Sequence, residues 1–299
     1  FPGGNVTRPG EVVPRRFVSV LSARGDEPFR RGAGRLDLAE RTFTDAAPLA
    51  ARVIVNRAWG WHLGKPLVAT PSDFGAQGER PTHPALLDDL AARFVAAGWS
   101  MRWLHREVVL SATYRQASRP RDEGLAADPT NRLLWRANPR RLDVEAFRDA
   151  LLQAGGTLDL TPGGPSQDLD QPDNARRTVY GRISRGRVNP LLQLFDFPEP
   201  TMHSPGREAT TTPLQQLFVM NSPFVRGQAD ALLRFAAAAP DGGANVDDAA
   251  KVAAMYRRAL ARDPADAEAR RAAAFLAGGG TLAQFAHALL TTNEVMFWP

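Results

Sequence analysis

The feature that most restricts this chain is the spacing of its apolar residues, which recur every three or four positions in almost every regular stretch. From Ala46 to Leu63 the residues Ala51, Val55, Ala58, Trp59 and His62 share one face at 3.6-residue spacing. Pro84 fits the first position of a second helix, where Leu86, Leu87, Leu90, Phe94 and Val95 form a stripe ending at Gly98. Ser100 can cap a third helix, with Met101, Leu104 and Val108 facing inward. Asp143 is placed to cap a fourth, whose stripe is Val144, Phe147, Leu151 and Leu152 and whose stop is Gly155-Gly156. Helical patterns return in "PLLQLFDF", "TPLQQLFVM" and "NSPFVRGQADALLRF", the last with Ser222 as cap and Pro223 in the first turn. The tail predicts three more, Asp247 to Ala261, Asp263-Pro264 through Leu276, and Thr281 to Thr291, where Thr281 and Gln284 have capping-box spacing. Only "RRTVYGRIS" has strand character. The expected fold class is mostly α: an irregular multi-helix domain with long Pro/Gly-rich loops and at most a small β-hairpin.

Three segments follow from the same pass. Residues 1–34, rich in Gly, Pro and Arg, predict an extended N-terminal arm. Residues 35–240 form the main helical domain, and 241–299 a C-terminal three-helix segment packed on it, after a Gly-rich linker at 242–243. Within the main domain, "TPGGPSQDLDQPDN" reads as a flexible excursion. No repeat of fixed period appears, which argues against a solenoid.

Composition narrows the function classes. Hydrophobic content of 43% with 23% charge is that of a globular protein rather than a disordered one. The longest apolar run, "ALLRFAAAAP", is broken by Arg234 and falls short of the roughly 18 residues a membrane span needs. The balance of 37 basic against 32 acidic residues gives +5, and only Lys65 and Lys251 are lysines. The arginines are interleaved with acids, as in "RRLDVEAFRDALL", which disfavours nucleic acid as a partner. Arginine forks suit carboxylate, sulfate and phosphate alike. The absence of cysteine excludes disulfides, thiolate metal sites, a cysteine nucleophile and covalent haem attachment through C-x-x-C-H. A start at Phe1, without Met or signal peptide, is expected of a piece of a longer protein.

Candidate sites lie on the loops. "LGKPLVATPSDFGAQGERPTHPALLDDL", Leu63 to Leu90, joins two helices through some twenty irregular residues, a length compact domains seldom keep without use. It offers Asp73, Gln77 and His83, with Gly75 and Gly78 to shape the backbone; the alternative is that Asp73 and His83 only cap turns, His83 being the N-cap before Pro84. The loop "FPEPTMHSPGREATT" offers His203, Arg207 and Glu208, preceded by Asp196, a set able to position an anion and move protons, or merely a solvated loop with local ion pairs. Arg141, Glu145, Arg148 and Asp149 form a third group, the last three at i, i+3 and i+4 on one helix face. Such a face is commonly a salt-bridge lattice; lining a pocket, Glu145 becomes an acid or base. Trp59 and Trp61 are core residues by spacing, or a stacking surface for a pyranose near the first loop. His62 reads as a core histidine. No H-x-x-x-H or H-E-x-x-H spacing exists, so no local zinc motif is present and no metal ligand is assigned; a metal assembled from distant residues stays open. G-x-S-x-G, Walker and Rossmann fingerprints are also missing.

Several strings, in order, carry a resemblance: "ARVIVNRAWGWHLGKPLVATPSDFGAQGERPTHPALLDDLA", "GWSMRWLHREVVLSATYRQAS", "DPTNRLLWRANPRRLDVEAFRDALL", "RRTVYGRISR", "FDFPEP" and "TTTPLQQLFVMNSPFV". From about Gly10 to "LLTTNEVMF" the chain resembles the C-terminal domain of unknown function, number fifteen fifty-three in its series, found in large secreted proteins of Planctomycetes and Verrucomicrobia. It departs from the family in reading "PLQQLF" for "PQQALF" and "NEVMF" for "NEF", changes that remove no ionisable group. The resemblance implies a polypeptide with a cytochrome c module and another domain of unknown function, a periplasmic or extracellular setting, and genomic company of sulfatases and polysaccharide-degrading enzymes. It implies no catalytic residues.

The leading expectation is therefore a module that binds or processes sulfated or acidic polysaccharide. In an enzyme of this kind Asp73, Glu145 and Asp196 are the carboxylates and His83 and His203 the alternative proton carriers, while Gln77, Arg141, Arg207, Trp59 and Trp61 hold substrate. Glycosidic cleavage requires two carboxylates roughly 5–5.5 Å apart for retention or 6.5–9.5 Å for inversion. The alternatives are a non-catalytic scaffold docking the cytochrome c and other domains of the same polypeptide, and a redox module fed by haem. No cofactor is expected within the chain; the resemblance implies haem c only as an option in a neighbouring domain.

Overall fold

In the computed structural model, which describes residues 2–171, 173–238 and 247–298, the chain divides into two compact units, Phe1–Asn138 and Pro139–Pro299. The linker expected at 242–243 lies outside the described residues.

In the first unit, residues 2–34 run without α-helix, stitched by one bridge between Arg16 and Pro28 and anchored through the buried Phe17. Five helices follow: α1 (Arg35–Phe43), α2 (Ala47–Leu63), α3 (Pro84–Ala96), α4 (Met101–Leu110) and α5 (Asp122–Ala127). The apolar spacing sets their packing. Ala51, Val55, Ala58 and Trp59 of α2 meet Leu87, Leu90, Ala91 and Phe94 of α3, with Leu104 and Val108 of α4 in the same core. The ends obey the local chemistry: Ser100 accepts the backbone N–H of Trp103 at 3.3 Å, and Gly64 closes α2 at φ +77°.

The long connection after α2 is held from inside. Asn56, fully buried on α2, donates to the Val68 carbonyl at 3.0 Å and accepts the Val68 N–H at 2.7 Å. A side-chain amide thus substitutes for a strand neighbour, letting Leu67 and Val68 enter the core without orphaned backbone groups.

The second unit begins with β1 (Arg140–Arg141) and α6 (Val144–Ala154), followed by α7 (Pro190–Leu194), α8 (Pro213–Asn221) and α9 (Pro223–Ala237). It closes with α10 (Asp248–Leu260), α11 (Asp266–Ala277), α12 (Leu282–Leu290), α13 (Asn293–Met296) and β2 (Phe297–Trp298). Its core joins Phe147 and Leu151 of α6, Val225, Ala229 and Leu232 of α9, Met255 of α10 and Leu290 of α12. Ser222 accepts from Phe224 at 3.2 Å, and Thr281 and Gln284 form a reciprocal capping box, whereas Asp143 holds the N-cap position of α6 without a side-chain cap bond. Helices α10, α12 and α13 lie against α9 or α6.

The small sheet is an antiparallel ribbon, Arg140 opposite Trp298 and Arg141 opposite Phe297. "RRTVYGRIS" is not a strand. It forms a 3-10 turn at Thr178–Tyr180, touched by single bridges of Asp159 with Arg176 and of Gln167 with Gly181. Two of its backbone groups are taken by α6, where Arg148 donates to the Arg176 carbonyl at 3.0 Å and Asp149 accepts the Thr178 N–H at 2.7 Å, while Arg177, Tyr180 and Arg182 bond the backbone of Asp159 and Gln167. The excursion before it is likewise tied down. Arg176 donates to the carbonyls of Pro165 (3.0 Å), Thr161 (3.3 Å) and Gly163, and Asn174 donates to Asp168 at 3.0 Å.

Two predictions follow from these ties. Asn56→Ala orphans a buried N–H and a buried carbonyl at Val68, so unfolding in urea, followed by the fluorescence of Trp59 and its neighbours, should show a loss of roughly 2–4 kcal/mol. The second concerns Arg262, which clamps Glu268 of α11 at 2.7 and 2.8 Å and Glu294 of α13 at 2.7 and 2.6 Å. The Arg262 bonds, with the Ala265 N–H, lower Glu268 from 4.5 to about 2. A carboxylate depressed on folding contributes stability above its unfolded pKa and loses it as pH falls through the folded one. The thermal-stability difference between wild type and Glu268→Gln should therefore be full at pH 6 and vanish between pH 4.5 and about 2.

Candidate functional site

Helix α6 organises the second unit's polar chemistry. Its expected charged face is split: Glu145 and Asp149 look outward, whereas Arg148 is buried among loop carbonyls. Arg148 donates to the Asn174 carbonyl and to Thr178 Oγ1 at 3.2 Å, with its guanidinium 5.4 Å from the Phe224 ring centre. Burial lowers its pKa and the nearby Asp149 opposes that shift. Arg148 is thus an internal brace rather than a member of a surface lattice.

The loop between α7 and α8 is fastened at two points. Helix α7 ends in a Schellman turn: the Phe197 N–H donates to the Leu192 carbonyl at 3.0 Å, that of Asp196 to Gln193 at 3.4 Å, and Asp196 takes φ +62°. This left-handed residue aims its carboxylate at Arg141, whose Nη2 lies 2.6 Å away, and at Thr210, which donates through N–H at 2.9 Å and hydroxyl at 2.8 Å. Arg141 also donates to Gln215 Oε1 at 2.8 Å and to the Thr210 carbonyl, while its guanidinium stacks 5.8 Å from the Phe195 ring centre. Burial tends to raise the Asp196 pKa, but the Thr210 and Arg141 bonds outweigh it and hold the group below the usual carboxylate value.

At the second point Arg207 meets Glu145 in a bidentate pair, 2.5 and 2.7 Å, with the guanidinium 5.1 Å from the Phe197 ring centre. Burial again pushes Glu145 upward and the Arg207 bonds win, leaving it lowered. Arg141, Glu145, Asp196 and Arg207 are therefore brought together as two ion pairs that pin one loop. His203 sits exposed on that loop.

Beside the pairs opens a cleft of about 520 Å³. Glu145, Asp149, Arg177 and Arg207 supply its polar rim, and Val179, Ile183, Leu192 and Phe197 its apolar lining. Asp149 Oδ1 is satisfied by Thr178, N–H and hydroxyl both at 2.7 Å, while its other oxygen receives Arg177 at 3.4 Å. The Arg177 side chain is 52% exposed.

The first unit's candidates are engaged locally. Asp73 Oδ1 accepts the Gly75 N–H at 2.8 Å, and its carbonyl accepts the Thr70 hydroxyl at 2.7 Å. Gly78 is needed for space and not for positive φ, since a Cβ there would stand 2.2 Å from the Asp73 carbonyl oxygen. His83 occupies the N-cap of α3 with Nδ1 3.0 Å from the Thr82 hydroxyl, and Gln77 is exposed. Trp59, 5% exposed, belongs to the core and offers no face to a sugar, whereas Trp61 is 60% exposed. His62 is not enclosed in the core. It is half-buried, and its Nε2 lies 2.7 Å from Nδ1 of His105 on α4. Among the described residues no three His, Asp or Glu side chains gather as a metal set.

Sequence reasoning missed Asp149's cleft role, Arg177 and Gln215. Gln215 had a signal: Thr212 and Gln215 carry the same capping-box spacing as Thr281 and Gln284, and the box forms. Its buried amide also donates to the Leu194 carbonyl at 2.9 Å, so it joins α7, α8 and Arg141. Removing one partner of a largely buried pair leaves the other unpaired. Arg141→Ala should cost about 3 kcal/mol and release amide-exchange protection at Phe197 and Thr210.

Comparison with known proteins adds one finding. A family model described as PSD1, protein of unknown function (DUF1553), matches residues 34–276. No curated protein and no solved structure matches. With most of its length matched, the chain belongs to the DUF1553 family.

Proposed function

We propose that this chain is the C-terminal helical module of a larger secreted, cytochrome-associated protein, and that the cleft beside α6 binds polysaccharide. The secreted setting rests on the family resemblance. The cleft reading rests on one juxtaposition: ion-paired carboxylates and arginines, Glu145 with Arg207 and Asp149 with Arg177, around the side chains of Val179, Ile183, Leu192 and Phe197. A pyranose has a matching division, an apolar C–H face and a hydroxyl rim. The volume falls within the usual range for ligand sites, about 300–1,000 Å³.

Holding is favoured over cleaving. A glycosidase needs one carboxyl kept protonated, hence with a raised pKa. Glu145 and Asp196 are both shifted downward by their partners and are poor proton donors at neutral pH. On the cleft rim the paired Glu145 serves as a fixed acceptor for hydroxyl groups, while Asp196 lies outside the lining.

Arg177 is the residue suited to reading sulfate or uronate. Thr178 already satisfies one Asp149 oxygen, so Arg177 can turn to a ligand while Asp149 keeps bonded partners. Arg207, bidentate on Glu145, has less freedom. A specific observation also supports the scaffold reading: Leu214, Leu217 and Met220 leave an apolar stripe exposed on α8. Such a stripe suits a neighbouring domain of the same polypeptide.

Calorimetry and glycan arrays with neutral, sulfated and uronate-bearing oligosaccharides test the proposal. Saturable binding is expected. Arg177→Ala should weaken sulfated or uronate ligands about tenfold, the worth of one charge-assisted bond, and change neutral ligands little. Absence of binding across the panel, together with capture of the adjacent domain that Leu217→Glu abolishes, would replace this reading with the scaffold.

A further inference from the structure

The paired histidines of the first unit stand apart from the cleft chemistry. His62 lies near the end of α2 and His105 in the middle of α4, forty-three residues on. Their rings meet edge to face, 4.9 Å between centres at 78°, with Tyr114 against His62 at 6.0 Å. Both are half-buried.

We propose that His62 Nε2 and His105 Nδ1 form a two-imidazole site for a divalent transition-metal ion, with copper favoured over nickel and zinc, completed by water. A metal–imidazole bond is about 2.0–2.1 Å. Two such bonds place their nitrogens about 2.9 Å apart at a right angle and about 3.3 Å apart in a tetrahedron. The observed 2.7 Å must widen by about 0.2–0.6 Å, and both rings must turn so that their lone pairs converge beside the N–N line. Ligation uses the neutral imidazoles with their protons on the outer nitrogens, His62 as the Nδ1–H and His105 as the Nε2–H tautomer. The N–H now shared between the rings moves to the far side of its own ring, and the metal binds beside the N–N line with no change in net proton count.

The surroundings tolerate a cation. Arg102 and Arg106 of α4 are exposed, so water screens their charge, and Lys65 is engaged by the Thr130 carbonyl. Imidazole suits zinc, nickel and copper, and the general order of affinities places copper highest. Helices α2 and α4 already pack together, so both ligands come from a rigid frame rather than a loop.

The test is a Cu2+ titration of the full chain, followed by calorimetry and electron paramagnetic resonance. The expected result is one saturable ion per chain with hyperfine coupling to two imidazole nitrogens. His105→Asn should weaken binding about tenfold or more, and His83→Gln should leave it unchanged. Equal uptake by wild type and His105→Asn, coupling to a single nitrogen, or no saturable binding overturns the proposal. Should His105→Asn fail to fold, paramagnetic broadening in the wild type decides: the rings of His62 and His105 should broaden before those of His83, His203 and His287. Broadening that begins at any of those three overturns it.

Discussion

The donation of buried guanidinium groups to loop carbonyls is the interaction on which the second unit depends. Between α6 and α7 the chain runs some thirty-five residues with no regular ladder to satisfy its backbone. Arg148, at 2% exposure, reaches the carbonyls of Asn174 and Arg176 and the Thr178 hydroxyl from a helix that is itself part of the core. A guanidinium carries five donors in a fixed plane, so one side chain can replace several rungs of a sheet. An orphaned buried carbonyl costs roughly 1–3 kcal/mol, and Arg148 satisfies two of them together with a hydroxyl. Arg141 plays the same part for the loop ahead of α8, and Arg176 for the excursion at 161–165.

This explains which parts of the architecture were legible in the sequence. Helices declare themselves through local chemistry, and Ser100, Ser222 and Thr281 cap where their spacing says. The irregular segments do not, because their stabilising partners are remote. "RRTVYGRIS" has the alternation of a strand, yet Arg148 and Asp149 on α6 share its hydrogen bonds with isolated bridges to Asp159 and Gln167, and a turn results. Asn56 was hidden for a related reason. It sits inside the helical run "ARVIVNRAW", where propensity assigns it no task, and its two bonds close only once Val68 folds back.

Site legibility was similarly uneven. The residue types singled out in Arg141, Glu145, Asp196 and Arg207 do converge, because charged side chains at helix starts and turn ends must find partners when the loop is drawn in. Their pairing could not be read, since it depends on the Schellman turn that sends Asp196 toward β1. For Asp73 and His83 the alternative of local turn and cap positions holds: Asp73 accepts the Gly75 N–H and His83 stands at the N-cap of α3.

The two ion pairs have opposite polarity. From β1 into α6 the chain presents a cation and then an anion, Arg141 and Glu145, and the loop answers with an anion and then a cation, Asp196 and Arg207. Docking the loop the other way round would set Arg207 against Arg141 and Asp196 against Glu145. Like charges forced together in a partly dry site are costly, so the arrangement selects one register as well as holding it. A fixed register also fixes the cleft, because Phe197 and Arg207 travel with the loop while Glu145 and Asp149 remain on the helix. The lowered pKa values of Glu145 and Asp196 belong to this fastening. A ligand bound there as proposed meets Glu145 already held in place by Arg207, and it need not pay the ordering of a loose loop.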